Sequence, residues 1–340
     1  MYFACKNCFA DKELKAFIQS QNNIGNCNFC ESKEVERVNV QELIDFFEEL
    51  FANFSSNSRG KGLLSIIQGG WNLFSNLECG HKIVNFTLNS TGSSINNSEG
   101  LVDFNDEILE NISYWVKLKE QLKWGIRYFT NIEKLTNDLG WDGFFESKTV
   151  LQKEDIFYRA RLHNNANEDI FSFQQMLCPP KEISTAGRAN PSGIPYLYLS
   201  DNKETILYEV RASYLDEVSV ASFGIKKDLE RKINISDLTE SSTLYHPSEV
   251  SKKIKSTLLK QSISRDLSKP MRRYDSELDY VPTQFICEFI KIFTNVDGIK
   301  FRSSLHNVGN NLVIFNQEIM ECIDVKKVQI NRVEIKSKTI

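Results

Sequence analysis

The chain has 340 residues, 41% of them hydrophobic and 25% charged, and its 41 Lys and Arg against 45 Asp and Glu leave a net charge of −4. That length allows two soluble domains, and the acidic balance excludes broad non-specific binding to nucleic acid, which needs a basic field. No apolar run approaches the ~18 residues of a membrane span, and Met1–Lys6 leads into polar residues rather than a signal-peptide core, so a cytoplasmic protein with reduced thiols is expected.

The chain opens on Cys5-x2-Cys8 and Cys27-x2-Cys30, with 18 residues between the pairs. The spacing matches a four-cysteine zinc site, in which each short turn aims two thiolates at one ion and two turns complete a tetrahedron. Four thiolates leave no position for water, so a structural zinc is expected over residues 1–35, folding a segment too small to build its own core. The competing reading is four unrelated buried thiols. A ribbon of this kind can also bind nucleic acid or protein; stapling is the default. Cys79-Gly80-His81 is a weaker ligand-like pair, and Cys178, Cys287 and Cys322 read as core or surface thiols.

Val40–Phe51 has the apolar spacing of an amphipathic helix. Residues 53–62 and 88–100 read as Ser/Asn/Gly-rich loops. A helix is predicted over 105–123, and another from Thr130, where Thr130-x-x-Glu133 forms a capping box and Gly140 a stop. The texture changes near 145–153. Strands are predicted at 156–160, 196–199 and 218–223, and Asp201-x-x-Glu204 opens a helix through Val210. Helices follow at 248–261 and 283–294, then strands at 298–302, 311–315 and near 326–336. The expected fold is α+β. An α-rich N-terminal part comprises the four-cysteine zinc ribbon and a helical domain over 36–150. A mixed α+β domain covers 151–325, with a C-terminal strand or tail over 326–340.

The second half concentrates residues suited to an anionic ligand. Arg159 lies in a strand, where a buried cation needs a partner. Arg188 follows Gly187 in a turn rich in Gly and Pro, and guanidinium groups bind phosphate oxygens bidentately. Tyr198 faces opposite to Leu197 and Leu199 on the pleat and suits a flat ring or a hydrogen bond. Glu209, on a short helix, suits stabilisation of an oxocarbenium-like centre. Taken singly, the plainer readings are salt bridges for the arginines, cross-strand packing for Tyr198 and a solvent-facing charge for Glu209.

Taken in order, these residues resemble the RES domain family. The resemblance rests on Tyr158-Arg159-Ala160-Arg161, on Gly187-Arg188-Ala189-Asn190-Pro191 with Gly193 and Pro195, on Leu197-Tyr198-Leu199, and on Glu209-Val210. It continues through Tyr280-Val281-Pro282-Thr283-Gln284-Phe285, Asp297-Gly298-Ile299-Lys300-Phe301-Arg302-Ser303-Ser304 and Asn311-Leu312-Val313-Ile314-Phe315. The resemblance implies an ADP-ribosyltransferase-like fold and an NAD-consuming enzyme, often the toxin of a toxin–antitoxin pair, acting as NAD phosphorylase, NAD hydrolase or ADP-ribosyltransferase. It points to Glu209, Arg188, Tyr198 and Ser303 as catalytic residues and to Arg159, Arg161, Arg188, Tyr198 and Ser304 as the ligand contacts. Arg159 or Arg161, and Ser303 or Ser304, can fill their respective places. His306 is the candidate auxiliary group. The N-terminal half resembles the helical HEPN-like domain more loosely, without the Arg-x4–6-His motif of its ribonucleases, so no RNase activity is expected. The roughly 150 residues ahead of the RES-like segment imply a regulatory half receptive to an antitoxin or trigger protein; a homo-oligomer stays open. The competing function is a non-catalytic nucleotide sensor.

Overall fold

The computed structural model describes residues 1–145, 148–165, 168–239, 243–270, 277–306 and 308–333. The chain divides into two units, Met1–Lys117 with Glu240–Leu259, and Leu118–Thr239 with Lys260–Ile340. Elements of both classes are present, as an α+β fold requires.

In the first unit β1 (Phe3–Cys5), β2 (Ile24–Gly25) and β3 (Val35–Asn39) form an antiparallel sheet in the order β1-β3-β2. Helix α1 (Lys12–Ser20) starts at Asp11, whose buried carboxylate accepts from the Leu14 amide at 3.0 Å and from the Leu244 and Tyr245 amides at 2.6 and 3.2 Å. One carboxylate thus caps a helix and anchors a distant segment. The expected helix at 40–51 is a 3-10 turn, Val40–Leu43, leading into α2 (Ile44–Ala52). The stretch expected as a loop at 53–62 is instead β4 (Phe54–Gly62), paired with β5 (Leu101–Phe104). Its exposed Ser and Asn side chains carry no alternation to read, because main-chain pairing at both ends, around a register shift between Ser56 and Lys61, makes the strand. Helices α3 (Leu63–Trp71) and α4 (Leu77–Thr91) follow; α4 begins on Asn76 and stops at Gly92, at φ 64°, so the helix takes the first residues of the second expected loop. Phe9, Leu14, Phe47, Leu50, Leu63 and Phe74 form a core that includes Cys5 and Cys8.

Helix α5 (Asp106–Trp124) covers the predicted 105–123. The next cap falls on Asn131, whose Oδ1 accepts from the Lys134 amide at 3.0 Å, while the Thr130 hydroxyl donates to the Arg127 carbonyl. The turn from Lys134 to Asp138 is π-helical and ends before Gly140, at φ 65°. A short α6 (Trp141–Phe144) comes before the sheet.

Eight strands make the sheet of the second unit: β6 (Lys148–Leu151), β7 (Phe157–Leu162), β8 (Leu197–Ser200), β9 (Glu217–Ile225), β10 (Ile233–Asp237), β11 (Gly298–Arg302), β12 (Asn310–Ile314) and β13 (Met320–Gln329). Their order is β13-β9-β7-β8-β12-β11-β10-β6, and the β10–β11 pair alone is parallel. β13 begins earlier than the strand expected near 326–336, and residues 334–336 lie outside the described residues. Alternation along β9 sends Ala221 and Phe223 to a core with Phe157, Leu199 and Leu312, and Val218 and Val220 to a second with Ala160 and Ile206. Ile206 belongs to α7 (Lys203–Glu209). Its cap is Asn202, which accepts from the Glu204 and Thr205 amides at 2.9 and 3.0 Å. Asp201, the expected cap, instead accepts from the Asn310 amide and side chain at 2.7 and 2.8 Å and joins the end of β8 to β12. Helix α8 (Val250–Ser268) runs past the predicted 261, and α9 (Val281–Thr294) has Pro282 in its first turn. No described helix is long and apolar enough to cross a membrane.

Candidate functional site

Cys5 and Cys8 flank the turn after β1, and Cys27 and Cys30 the turn between β2 and β3. Their sulfurs lie within 4.8 Å of one another, with Cys5–Cys8 at 3.9 Å, Cys5–Cys30 at 3.4 Å and Cys8–Cys27 at 3.6 Å. Four thiolates about 2.3 Å from a tetrahedral ion stand ~3.8 Å apart, so the cluster fits a metal ion. All four are free thiols. Hydrogen bonds from the Cys5 and Cys8 thiols hold Cys27 below the ordinary thiol range, and the bond to Cys27 pushes Cys5 up to about 12. For all four to deprotonate together at these separations, a cation would have to stand among them. His81, the weaker candidate, sits in α4 with Nδ1 2.8 Å from Ser98 Oγ, and among the described residues the four cysteines are the one metal-competent group.

In the second unit, the Gly187–Asn190 turn is built around Tyr198. The Tyr198 hydroxyl donates to Asn190 Oδ1 at 2.8 Å and accepts from the Ala189 amide at 3.0 Å. Gln284 of α9 donates to the Gly187 and Asn190 carbonyls at 2.8 and 3.0 Å. A Cβ on Gly187 would stand 2.6 Å from both Asn190 Oδ1 and the Tyr198 hydroxyl, so only glycine permits this approach. The Tyr198 hydroxyl is thus engaged as both donor and acceptor. Burial raises its phenol above the usual range.

The turn presents Arg188, whose Nη1 donates to the Leu267 carbonyl at 2.7 Å in the last turn of α8, where a helix favours a cation. Burial lowers its pKa, while the nearby Tyr280, Glu209 and Tyr198 act in the opposite direction. Arg159 lies one residue past the single Tyr158–Ser200 pair that joins β7 to β8. Its Nη1 is buried without a hydrogen-bond partner. Burial first, and then repulsion from Arg161, lower its pKa to about 10, so it stays cationic at neutral pH. Arg161, on the same face of β7, is engaged: its Nη2 donates to the Leu177 carbonyl at 2.9 Å.

Glu209 closes α7, and its Oε1 accepts from Ser303 Oγ at 2.7 Å and from Asn311 Nδ2 at 2.8 Å. Ser303 is buried, and its oxygen also accepts from the Leu305 and His306 amides at 3.3 and 3.2 Å, which shapes the turn after β11. Ser304 is exposed and donates to the Ser268 carbonyl. His306 lies with α7: its Nδ1 is 2.8 Å from Thr205 Oγ1 and its ring stacks on Tyr208 at 4.9 Å.

The structure therefore brings Tyr198 to the Arg188 turn and Ser303 to Glu209. It directs Ser304 to the end of α8, Arg161 to the loop at Leu177 and His306 to the outer turns of α7. Reading the sequence did not single out Asn190, Gln284 or Asn311. All three stand within quoted motifs, and the signal available was a polar side chain beside apolar neighbours.

A chain from the crystal structure of the M.tuberculosis MbcT-MbcA toxin-antitoxin complex is similar over 56% of this chain and 91% of that chain, at 12% identity and a TM-score of 0.30. No curated protein matches the chain. Residues 156–335, more than half of the molecule, with Arg159, Arg161, Arg188, Tyr198, Glu209, Ser303 and Ser304 among them, match the RES domain, and the chain belongs to that family.

Proposed function

We propose that the RES domain cleaves the bond between nicotinamide and ribose in NAD, with phosphate or water taking up the ribosyl group. The observation that supports this reading most is Arg159, a buried guanidinium with an unpartnered Nη1, on the strand next to the one that bears Tyr198. A buried cation lacking an anion is unfavourable unless a ligand supplies one, and a pyrophosphate does so. Arg188 is the second phosphate contact, with donors beyond the Nη1 that holds Leu267. The Tyr198 ring packs against the nicotinamide riboside end. Nicotinamide in NAD is a cationic pyridinium, so the carbon–nitrogen bond breaks with its electron pair moving to the ring nitrogen. The Glu209 carboxylate stabilises the ribosyl cation left behind. A phosphate oxygen, or a water that gives up its proton, then bonds to the same carbon. Zinc in the four-cysteine centre acts structurally, and the N-terminal unit is the point of control by an antitoxin or trigger protein. In a cell such an enzyme depletes NAD and acts as a toxin or defence effector.

The deciding experiment incubates the full-length protein with NAD, with and without phosphate, and identifies products by mass spectrometry. Free nicotinamide with ADP-ribose or its 1″-phosphate is expected. Nicotinamide release with label on a protein would reassign the acceptor; intact NAD in both arms, with no labelled protein, would leave a nucleotide sensor.

A further inference from the structure

We propose that Asn311 is a positioning residue for Glu209, holding the carboxylate by Oε1 so that Oε2 is the oxygen offered to the ligand. This rests on the reading of Glu209 as the group that faces the ribosyl cation. Two donors converge on one oxygen: Ser303 Oγ at 2.7 Å and Asn311 Nδ2 at 2.8 Å. Among the described residues no donor is directed at Oε2 in the same way. The two donors differ in what holds them. Ser303 stands in the turn after β11, whereas Asn311 is 9% exposed in β12, paired with Phe301 of β11 on one side and Ser200 of β8 on the other. A planar amide on a doubly paired strand has little freedom, and a site built on such an element holds its geometry more closely than one on a loop. β12 also pairs Val313 with Tyr198, so one strand sets both the carboxylate and the tyrosine. An asparagine at this position, next to the apolar run Leu312-Val313-Ile314, is unfavourable to bury without a partner; Glu209 is that partner.

The test compares full-length wild type with Asn311→Leu, which removes the donor at similar volume. Calorimetry with NAD should give the wild-type stoichiometry and a Kd within about threefold, while kcat for nicotinamide release falls roughly 30-fold, the loss of one hydrogen bond to a charged group. In protein carrying carbon-13 in its glutamate carboxyls, the Glu209 signal, identified by its loss in Glu209→Gln, should move in Asn311→Leu. Asn311→Ser and Asn311→Ala form a second pair of similar size, with and without a donor, and the serine variant should retain more turnover. An unmoved carboxyl signal, or equal turnover in the Ser and Ala variants, overturns the assignment. The carbon signal needs no turnover, so a wild-type protein that leaves NAD intact removes the enzyme reading and still leaves Asn311 tested.

Discussion

The four-cysteine centre draws its ligands from Cys5 to Cys30, whereas the Glu209 cluster joins α7 to Ser303 and Asn311, 94 and 102 residues away along the chain. The first is a product of local turns: a C-x2-C step places two sulfurs together almost irrespective of what surrounds it. The second exists only once β11, β12 and α7 have assembled, and no spacing rule connects its members. Local encoding makes the four-cysteine cluster easy to find. Assembly by the fold leaves the carboxylate site sensitive to small changes in its supports.

The sharpest way to break this contrast is to alter charge without altering shape. Glu209→Gln keeps an oxygen for Ser303 and Asn311 and so keeps the fold, but removes the negative charge. Nicotinamide release should fall by about 10²–10³-fold, the scale of one lost electrostatic contact to a transition state, with melting unchanged. Turnover near the wild-type rate would remove Glu209 from the chemistry. At the other centre the pattern should invert. Cys8→Ser removes a thiol that lies within the apolar core of its unit, and a strong chelator removes the ion that the cluster would hold. Structural zinc contributes on the order of 10 kcal/mol to the folding of small sites. Hydrogen exchange should accelerate across β1–β3 and α1 while the amides of β7–β9 keep their protection. Metal analysis of the purified protein should find about one zinc per chain, and retention of full protection after chelation would count against a metal.

How much of this was legible beforehand divides the same way. The spacing of Cys5, Cys8, Cys27 and Cys30 carried the whole four-cysteine cluster, and the alternation in Val218–Phe223 carried a strand with both of its faces. Failures arose where two equivalent residues competed and tertiary partners decided. Asp201 and Asn202 are both good helix caps; Asn310 engages Asp201, so Asn202 caps α7. Thr130 and Asn131 present the same choice one residue apart. β4 was invisible because its pairing with β5 is main-chain and the side chains after Phe54 mostly face solvent. Asn311 was passed over as part of a strand, since its side-chain partner lies on a helix that ends 102 residues earlier.

Arg159 offers a gentler test, because it sets stability against ligand binding. Replacing a guanidinium whose buried Nη1 has no hydrogen-bond partner with an apolar side chain of similar length removes a desolvation penalty. Arg159→Met should therefore raise the melting temperature of the ligand-free protein by a few degrees. The wild type should gain stability on adding ADP-ribose, since a ligand that binds the folded state alone stabilises it; the variant should lose most of that gain, with KM for NAD up roughly tenfold. A variant less stable than wild type that still responds fully to ADP-ribose would mark Arg159 as structural.

The smallest expected effect separates two neighbours that the sequence could not rank. Ser303 and Ser304 are adjacent hydroxyls, yet the turn after β11 sends them in different directions, Ser303 to Glu209 and Ser304 to the Ser268 carbonyl at the end of α8. Ser303→Ala removes one of two donors on the carboxylate and leaves the Leu305 and His306 amides without their acceptor. Its turnover should fall roughly tenfold, less than for Glu209→Gln because Asn311 still holds Oε1. Ser304→Ala gives up one bond at the surface, where water replaces the lost donor, and its turnover should stay within about twofold of wild type. Steady-state nicotinamide release by the two variants, side by side, decides the matter. A loss confined to Ser304→Ala would mean that the turn presents the second hydroxyl to the ligand, and that the carboxylate is held by Asn311 alone.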